Sequence, residues 1–163
     1  MKKFRVTQRF DAASATVRAA YAEEETWRSF ADLPFVGDPV LVSFSPGNPI
    51  AIAMAYQVRV DLPPLAENFI DGDRLTFVER TELHSDGSGV FEIIPDHYAK
   101  LLRSSGSIEL VEDGETACER HISGSVDIRL GWAGKLFESP VEDAIVNGLS
   151  TALRAQAKQV PLG

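Results

Sequence analysis

The chain has 163 residues, 44% hydrophobic and 25% charged, and its 24 acidic against 16 basic side chains leave a net charge of −8. That composition is ordinary for one globular domain spanning residues 1–163, and the acidity argues against nucleic acid as a partner. A single cysteine, Cys118, excludes an internal disulfide framework and a multi-cysteine metal site and suits a reducing cytoplasm.

Met1-Lys2-Lys3-Phe4 turns polar again at Arg5, and no window approaches the roughly 18 to 20 apolar residues of a membrane span, so a cytoplasmic chain without membrane insertion is expected. Residues 3–10 alternate, with Phe4, Val6 and Phe10 against Arg5, Thr7 and Arg9, as in a strand with one buried face that Gln8 shares. Residues 14–30 have helical propensity, with a second short piece expected to carry Trp27 and Phe30 before Pro34 and Gly37. Strands then follow in hairpins. Val40, Val42 and Phe44 alternate up to the turn Ser45-Pro46-Gly47-Asn48, and Ile50, Ile52, Met54, Tyr56, Val58 and Val60 alternate after it until Leu62-Pro63-Pro64. Asp71-Gly72-Asp73 turns into a strand at 75–83, and a glycine-rich reversal at 85–89 leads to another at 90–94. Asp96 is expected to cap a turn of helix over 97–102, and strands at 104–111 and 116–130 form the last hairpin.

Residues 131–160 read as a long amphipathic helix. Ser139, Pro140 and Glu142 have the pattern of a helix N-terminus, with Asp143 in the first turn and Arg154 and Lys158 near the end matching the helix dipole. The start is placed near 139. Residues 132–137 are also helix-compatible, so Pro140 is expected to give a kink or short break at 138–140. Val141, Ile145, Leu149 and Leu153 recur every fourth residue, with Val160 extending this core face. Beside them Ala144, Gly148, Ala152 and Ala155 form a row of small residues that lets a sheet approach closely or leaves room for a ligand. The element order predicts an α+β domain, one curved antiparallel sheet of about seven strands covered by this helix.

Four stretches carry a family resemblance: Asp73-Arg74-Leu75-Thr76-Phe77-Val78-Glu79, Gly89-Val90-Phe91-Glu92-Ile93-Ile94-Pro95-Asp96-His97-Tyr98, Ser105-Gly106, and residues 131–149. Through them the chain resembles the START-like superfamily, also called SRPBCC or helix-grip, which contains the birch-pollen-type plant allergens, lipid-transfer START domains and polyketide cyclases. Within it the sequence resembles an uncharacterised bacterial branch. The resemblance covers essentially the whole chain. It implies a curved antiparallel sheet wrapped around a long C-terminal helix, one or two short helices after the first strand, and a cavity that holds an apolar or aromatic small molecule. No catalytic motif transfers residue by residue, because this fold hosts transport, sensing and catalysis alike.

Met54 and Tyr56, with Phe77 and Phe91 on other strands, are candidates to line such a cavity, although each taken singly is equally a core residue. Ile145, Gly148 and Leu149 would form the helix wall. Glu79 shares the parity of Phe77, and Arg120 that of Cys118 and Ile122, so both would point inward to orient a polar ligand group. A β-bulge would return them to solvent, where charged side chains ordinarily lie. His97, beside Asp96 at a strand exit, is either an acid–base group or part of a capped turn. No metal or other cofactor is expected, since His84, His97, His121 and Cys118 lack ligand spacing, and Cys118 has no neighbouring base.

Three functions follow: a monomeric or homodimeric carrier of a small hydrophobic molecule, which requires a sizeable enclosed pocket; a cyclase- or hydrolase-like enzyme using Glu79, His97 or Arg120; or a partner-binding module with a filled cavity, marked by exposed Trp27 or Phe35.

Overall fold

The structure, a computed structural model, describes residues 1–59 and 61–162. In β1 (Lys2–Phe10) Phe4, Val6, Gln8 and Phe10 are buried while Lys3, Arg5, Thr7 and Arg9 face solvent, the alternation of a strand with one face in a core. With β2 (Val36–Ser45), β3 (Ile50–Val58), β4 (Thr76–Leu83), β5 (Ser88–Pro95), β6 (Leu102–Glu112) and β7 (Cys118–Ile128) it forms one antiparallel sheet in the order β1-β7-β6-β5-β4-β3-β2. Consecutive strands from β2 to β7 pair as hairpins, and β1 closes back onto β7. The chain passes from one sheet edge to the other through α1 (Ser14–Tyr21) and α2 (Glu24–Arg28).

Side chains of α2 finish α1. The Thr26 hydroxyl donates to the Ala20 carbonyl at 2.6 Å and the Trp27 indole N–H donates to the Tyr21 carbonyl at 2.9 Å. These bonds serve carbonyls that a helix end leaves without partners, and they draw Trp27 inward to 4% exposure. The residue expected to mark a surface contact is therefore core, stacked between Tyr21 and Phe30. The second short piece expected within 14–30 is α2, which carries Trp27, and Phe30 lies just beyond it.

α3 (Gly131–Gln159) crosses the concave face and packs on β1 and β7. Under it, Gly106 and Gly124 face each other across β6 and β7. A Cβ on Gly106 would collide with the Ser123 carbonyl and the Phe91 ring, and one on Gly124 with the Phe4 and Phe91 rings. The two glycines thus let Phe4 and Phe91 lie down on the sheet, with centroids 6.3 Å apart, as the floor beneath the helix.

Four local expectations are corrected. α3 is continuous from Gly131, with neither a start near 139 nor a break at 138–140. Gly131, at φ +73°, turns the chain out of β7, and the Glu138 and Glu142 carboxylates reach back to accept from the backbone N–H groups of Leu130 at 2.9 Å and Ile128 at 3.0 Å. The missing N–H of Pro140 costs the Leu136 carbonyl its helical partner on a solvent-exposed side of the helix, where an unpaired carbonyl is tolerated. Residues 97–102 form a turn instead of a helix, because Tyr98 adopts φ +60°, and short 3-10 turns occur at Pro64–Asn68 and Gly72–Arg74. β2 begins at Val36, and register shifts at Gly37/Val40 and Leu41/Ser43 turn Val40 and Val42 to solvent. β3 ends at Val58; Val60, assigned to it by alternation, lies outside the described residues. Among the described residues no helix is long and apolar enough to cross a membrane.

Candidate functional site

Continuous register from β3 to β5 and between β6 and β7 keeps Glu79 and Arg120 on the inner face. The solvated arrangement does not occur. Arg120 is 3% exposed beneath α3. Its Nε donates to Gln8 Oε1 at 2.8 Å, Nη1 to Gln156 Oε1 at 3.1 Å and to the Tyr21 hydroxyl, and Nη2 to the Leu153 carbonyl at 3.1 Å. The guanidinium also lies over the Phe10 ring, 5.7 Å from its centroid. Four of its five N–H groups therefore have neutral acceptors, and none of those acceptors cancels the charge.

The carboxylate with the greatest influence on this site is Glu79. It accepts one long hydrogen bond, from the Thr81 hydroxyl at 3.4 Å. Desolvation pushes its pKa up, and the charge of Arg120 opposes that shift without cancelling it. Burial likewise raises the pKa of Tyr21, against the pull of Arg120, and that of Tyr56, where the Glu79 charge adds to burial. Both phenols are neutral at physiological pH.

The space around these groups is not one sizeable pocket. It consists of three small voids along α3. The first, about 30 Å³, lies among Glu79, Phe91, Arg120, Trp27, Leu149 and Gln156. The second, about 20 Å³, is bounded by Tyr56, Phe77, Glu79, Leu149 and Gln156. The third, also about 20 Å³, lies among Phe35, Val36, Val58, Ile145, Gly148 and Leu149. The first has room for about two waters, far below the roughly 300 Å³ at which ligand pockets begin. Eight of the nine residues expected to line a cavity thus border a void. Met54 borders none of the three; it sits opposite Glu79 across β3 and β4, packed in the core.

Ile145, Leu149 and Leu153, expected with Val141 as the core stripe of the helix, are only partly buried. The deeper positions are Val141 of that stripe with Val146 and Gln156, and in the small-residue row Gly148 and Ala152 are buried while Ala144 and Ala155 are partly buried. Tyr21, Thr81 and Gln156 belong to the site and were not singled out from sequence, and Trp27, singled out as a surface contact, belongs to it as well. Gln156 alone had a local signal, a polar side chain four residues after Ala152 on the small-residue row.

Other candidates fall outside. His97 is exposed, with Nδ1 3.2 Å from Arg74 Nη2. His121 pairs with Glu119 at 2.7 Å on the outer face, and His84 is exposed. Cys118 is buried, its thiol pKa raised by desolvation. Among the described residues, no three His, Cys, Asp or Glu side chains converge as metal ligands.

No family model and no curated protein matches the sequence. Solved structures do match across nearly the whole chain. The Zhui aromatase/cyclase from Streptomyces sp. R1128 superposes at a TM-score of 0.67 with 12% identity, covering 98% of this chain and 93% of that one. Norcoclaurine synthase from Thalictrum flavum in complex with dopamine and hydroxybenzaldehyde gives 0.57 and 13%, covering 98% and 88%. A START superfamily protein from Mycobacterium smegmatis gives 0.53 and 13%, covering 98% and 99%. Together with the sheet order and the long closing helix, these likenesses define the fold: it is the START-like, helix-grip fold.

Proposed function

We propose that the protein binds a small apolar or aromatic molecule between the concave face of the sheet and α3, with the polar end of that molecule at Glu79 and Arg120. The observation that carries this reading is the buried hydrogen-bonding cluster at one end of a void whose other walls are mostly apolar. Withdrawing a carboxyl from water is unfavourable unless partners replace the water, and Glu79 has only a long bond from Thr81. A ligand hydroxyl would supply the missing partner. Apolar burial would provide most of the affinity, at about 25 cal/mol per Å² before ordering costs. The aromatic molecules held by the norcoclaurine synthase neighbour support an occupant of this kind. The voids are too small to admit it without movement, so binding opens the space between α3 and the sheet. We place this carrier in the cytoplasm as a monomer or homodimer.

A second reading, an acid–base enzyme of cyclase or hydrolase type, is favoured by Glu79 itself. A carboxyl that holds its proton above the ordinary range, beside a fixed guanidinium, suits a general acid with an anion stabiliser.

Titration with phenylnaphthylamine tests the binding reading. A saturable fluorescence rise at one probe per chain is expected, weakened at least about tenfold by Leu153→Trp, which fills the inner voids. Absence of saturable binding by this and other apolar probes would contradict it.

A further inference from the structure

The three voids lie in line along α3. The void at Arg120 and the void at Tyr56 share Glu79, Leu149, Leu153 and Gln156, and the void at Tyr56 shares Val36 and Leu149 with the one at Phe35. Leu149 is the one lining residue common to all three. It is a partly buried leucine on a helix face, and turning its side chain aside would join the spaces it now divides.

Phe35 is the aromatic residue lining the outermost void. Leu33-Pro34-Phe35-Val36 is a tight turn, with Leu33 N–H donating to the Val36 carbonyl at 2.9 Å and Val36 N–H to the Leu33 carbonyl at 3.2 Å. Phe35 follows Pro34 at φ +64°, a position usually given to Gly or Asn. A bulky residue stays in that region only where its surroundings hold it there. The helix supplies one hold, since a Cβ on Gly148 would come within 3.2 Å of Phe35 Cβ, so glycine makes the notch in which the ring sits. Even so, Phe35 remains 41% exposed.

The flanks of the turn are fastened by Arg59, which pairs with Asp32 at 3.2 Å and with Asp38 at 2.9 Å while its backbone N–H donates to the Phe35 carbonyl at 2.6 Å. Exposed ion pairs are screened by salt and hold weakly. The turn is therefore strained, seated in a notch and held by a releasable clasp.

We infer that the three voids are one binding channel for an elongated apolar molecule with a polar head, entered at Phe35 and interrupted by Leu149. This rests on the ligand-binding reading above. The head would reach Glu79 and Arg120, the body would take the space Leu149 now fills, and Phe35 would close over the tail. A compact molecule would use the inner void alone and give no reason for two more in line with it.

Trp27 borders the inner void, and Trp132, at 94% exposure, is the other tryptophan, so Trp132→Phe leaves one buried reporter. In that background, with Leu149→Ala added to join the voids, Phe35→Gly is expected to raise acrylamide quenching of Trp27 at least about threefold, and Arg59→Ala to raise it in the same direction. Leu136→Ala, on the overhanging first turns of α3, is expected to leave it unchanged. Quenching unaltered in both the Phe35 and Arg59 variants, or raised equally by Leu136→Ala, would overturn the entrance. Leu149→Ala is expected to tighten the rod-shaped probe diphenylhexatriene at least about tenfold more than phenylnaphthylamine, and equal changes would overturn the single channel. Failure of every probe on every variant would count against ligand binding itself, while the quenching series would still decide whether Phe35 is a gate.

Discussion

Glu79 and Arg120 share a buried space without satisfying each other. Arg120 has acceptors for four of its five N–H groups, drawn from β1, α1 and α3, whereas Glu79 has one long hydrogen bond. The Glu79 pKa lies above its ordinary value of 4.5, so the native state holds that proton more tightly than the unfolded chain does. Native stability therefore falls as pH rises from about 4.5 through the folded-state value, and the loss is complete above it. Glu79→Gln removes the titrating group, and its melting temperature relative to wild type is expected to climb across that window. The same difference at about pH 4 and about pH 8 would contradict a desolvated carboxyl. Parity along the strands put both residues inward, but the alternative of solvated charges could not be dismissed from sequence because one bulge reverses every side chain after it. Bulges do occur in this sheet, in β2, where they expose Val40 and Val42. The partners of Arg120 were illegible for another reason: Tyr21, Gln8 and Gln156 approach it from elements 36 to 112 residues away in sequence.

α3 shows how a correct local rule selects the wrong boundary. Ser139, Pro140 and Glu142 fit a helix N-terminus in spacing and chemistry. In the folded chain the helix is already two turns old there, and Glu142 serves the buried N–H of Ile128 instead of a cap. Ser139→Ala is accordingly expected to change unfolding free energy by no more than about 0.5 kcal/mol, against about 1 kcal/mol for loss of a working cap. Glu142→Ala, which leaves a buried N–H unpaired, is expected to destabilise by about 1–3 kcal/mol. Denaturant unfolding separates the two, and a larger loss from Ser139→Ala would restore the start at 139. Periodicity also identified the helix and the side of it that meets the rest of the fold; on that side Val141, Gly148, Ala152 and Gln156 are buried, while Ile145, Leu149 and Leu153 are only partly buried.

For the whole molecule, the antiparallel hairpins, the seven strands and the covering helix were legible because each depends on period-two alternation, turn residues or a 3.6-residue repeat. The return of β1 to β7 was not legible, because it pairs two strands more than a hundred residues apart in sequence. Cavity size was not legible, since it depends on how a few side chains such as Leu149 and Phe35 settle in the gap between two layers. The small voids and the polar cluster beside them are the features on which the proposed ligand binding rests. The most direct test is native mass spectrometry of the protein, as purified from its own host and after incubation with an organic-solvent extract of host cells, compared with the denatured mass. A reproducible small-molecule adduct at one copy per chain, lost in Leu153→Trp, is the predicted result. The bare mass in both preparations would contradict the account.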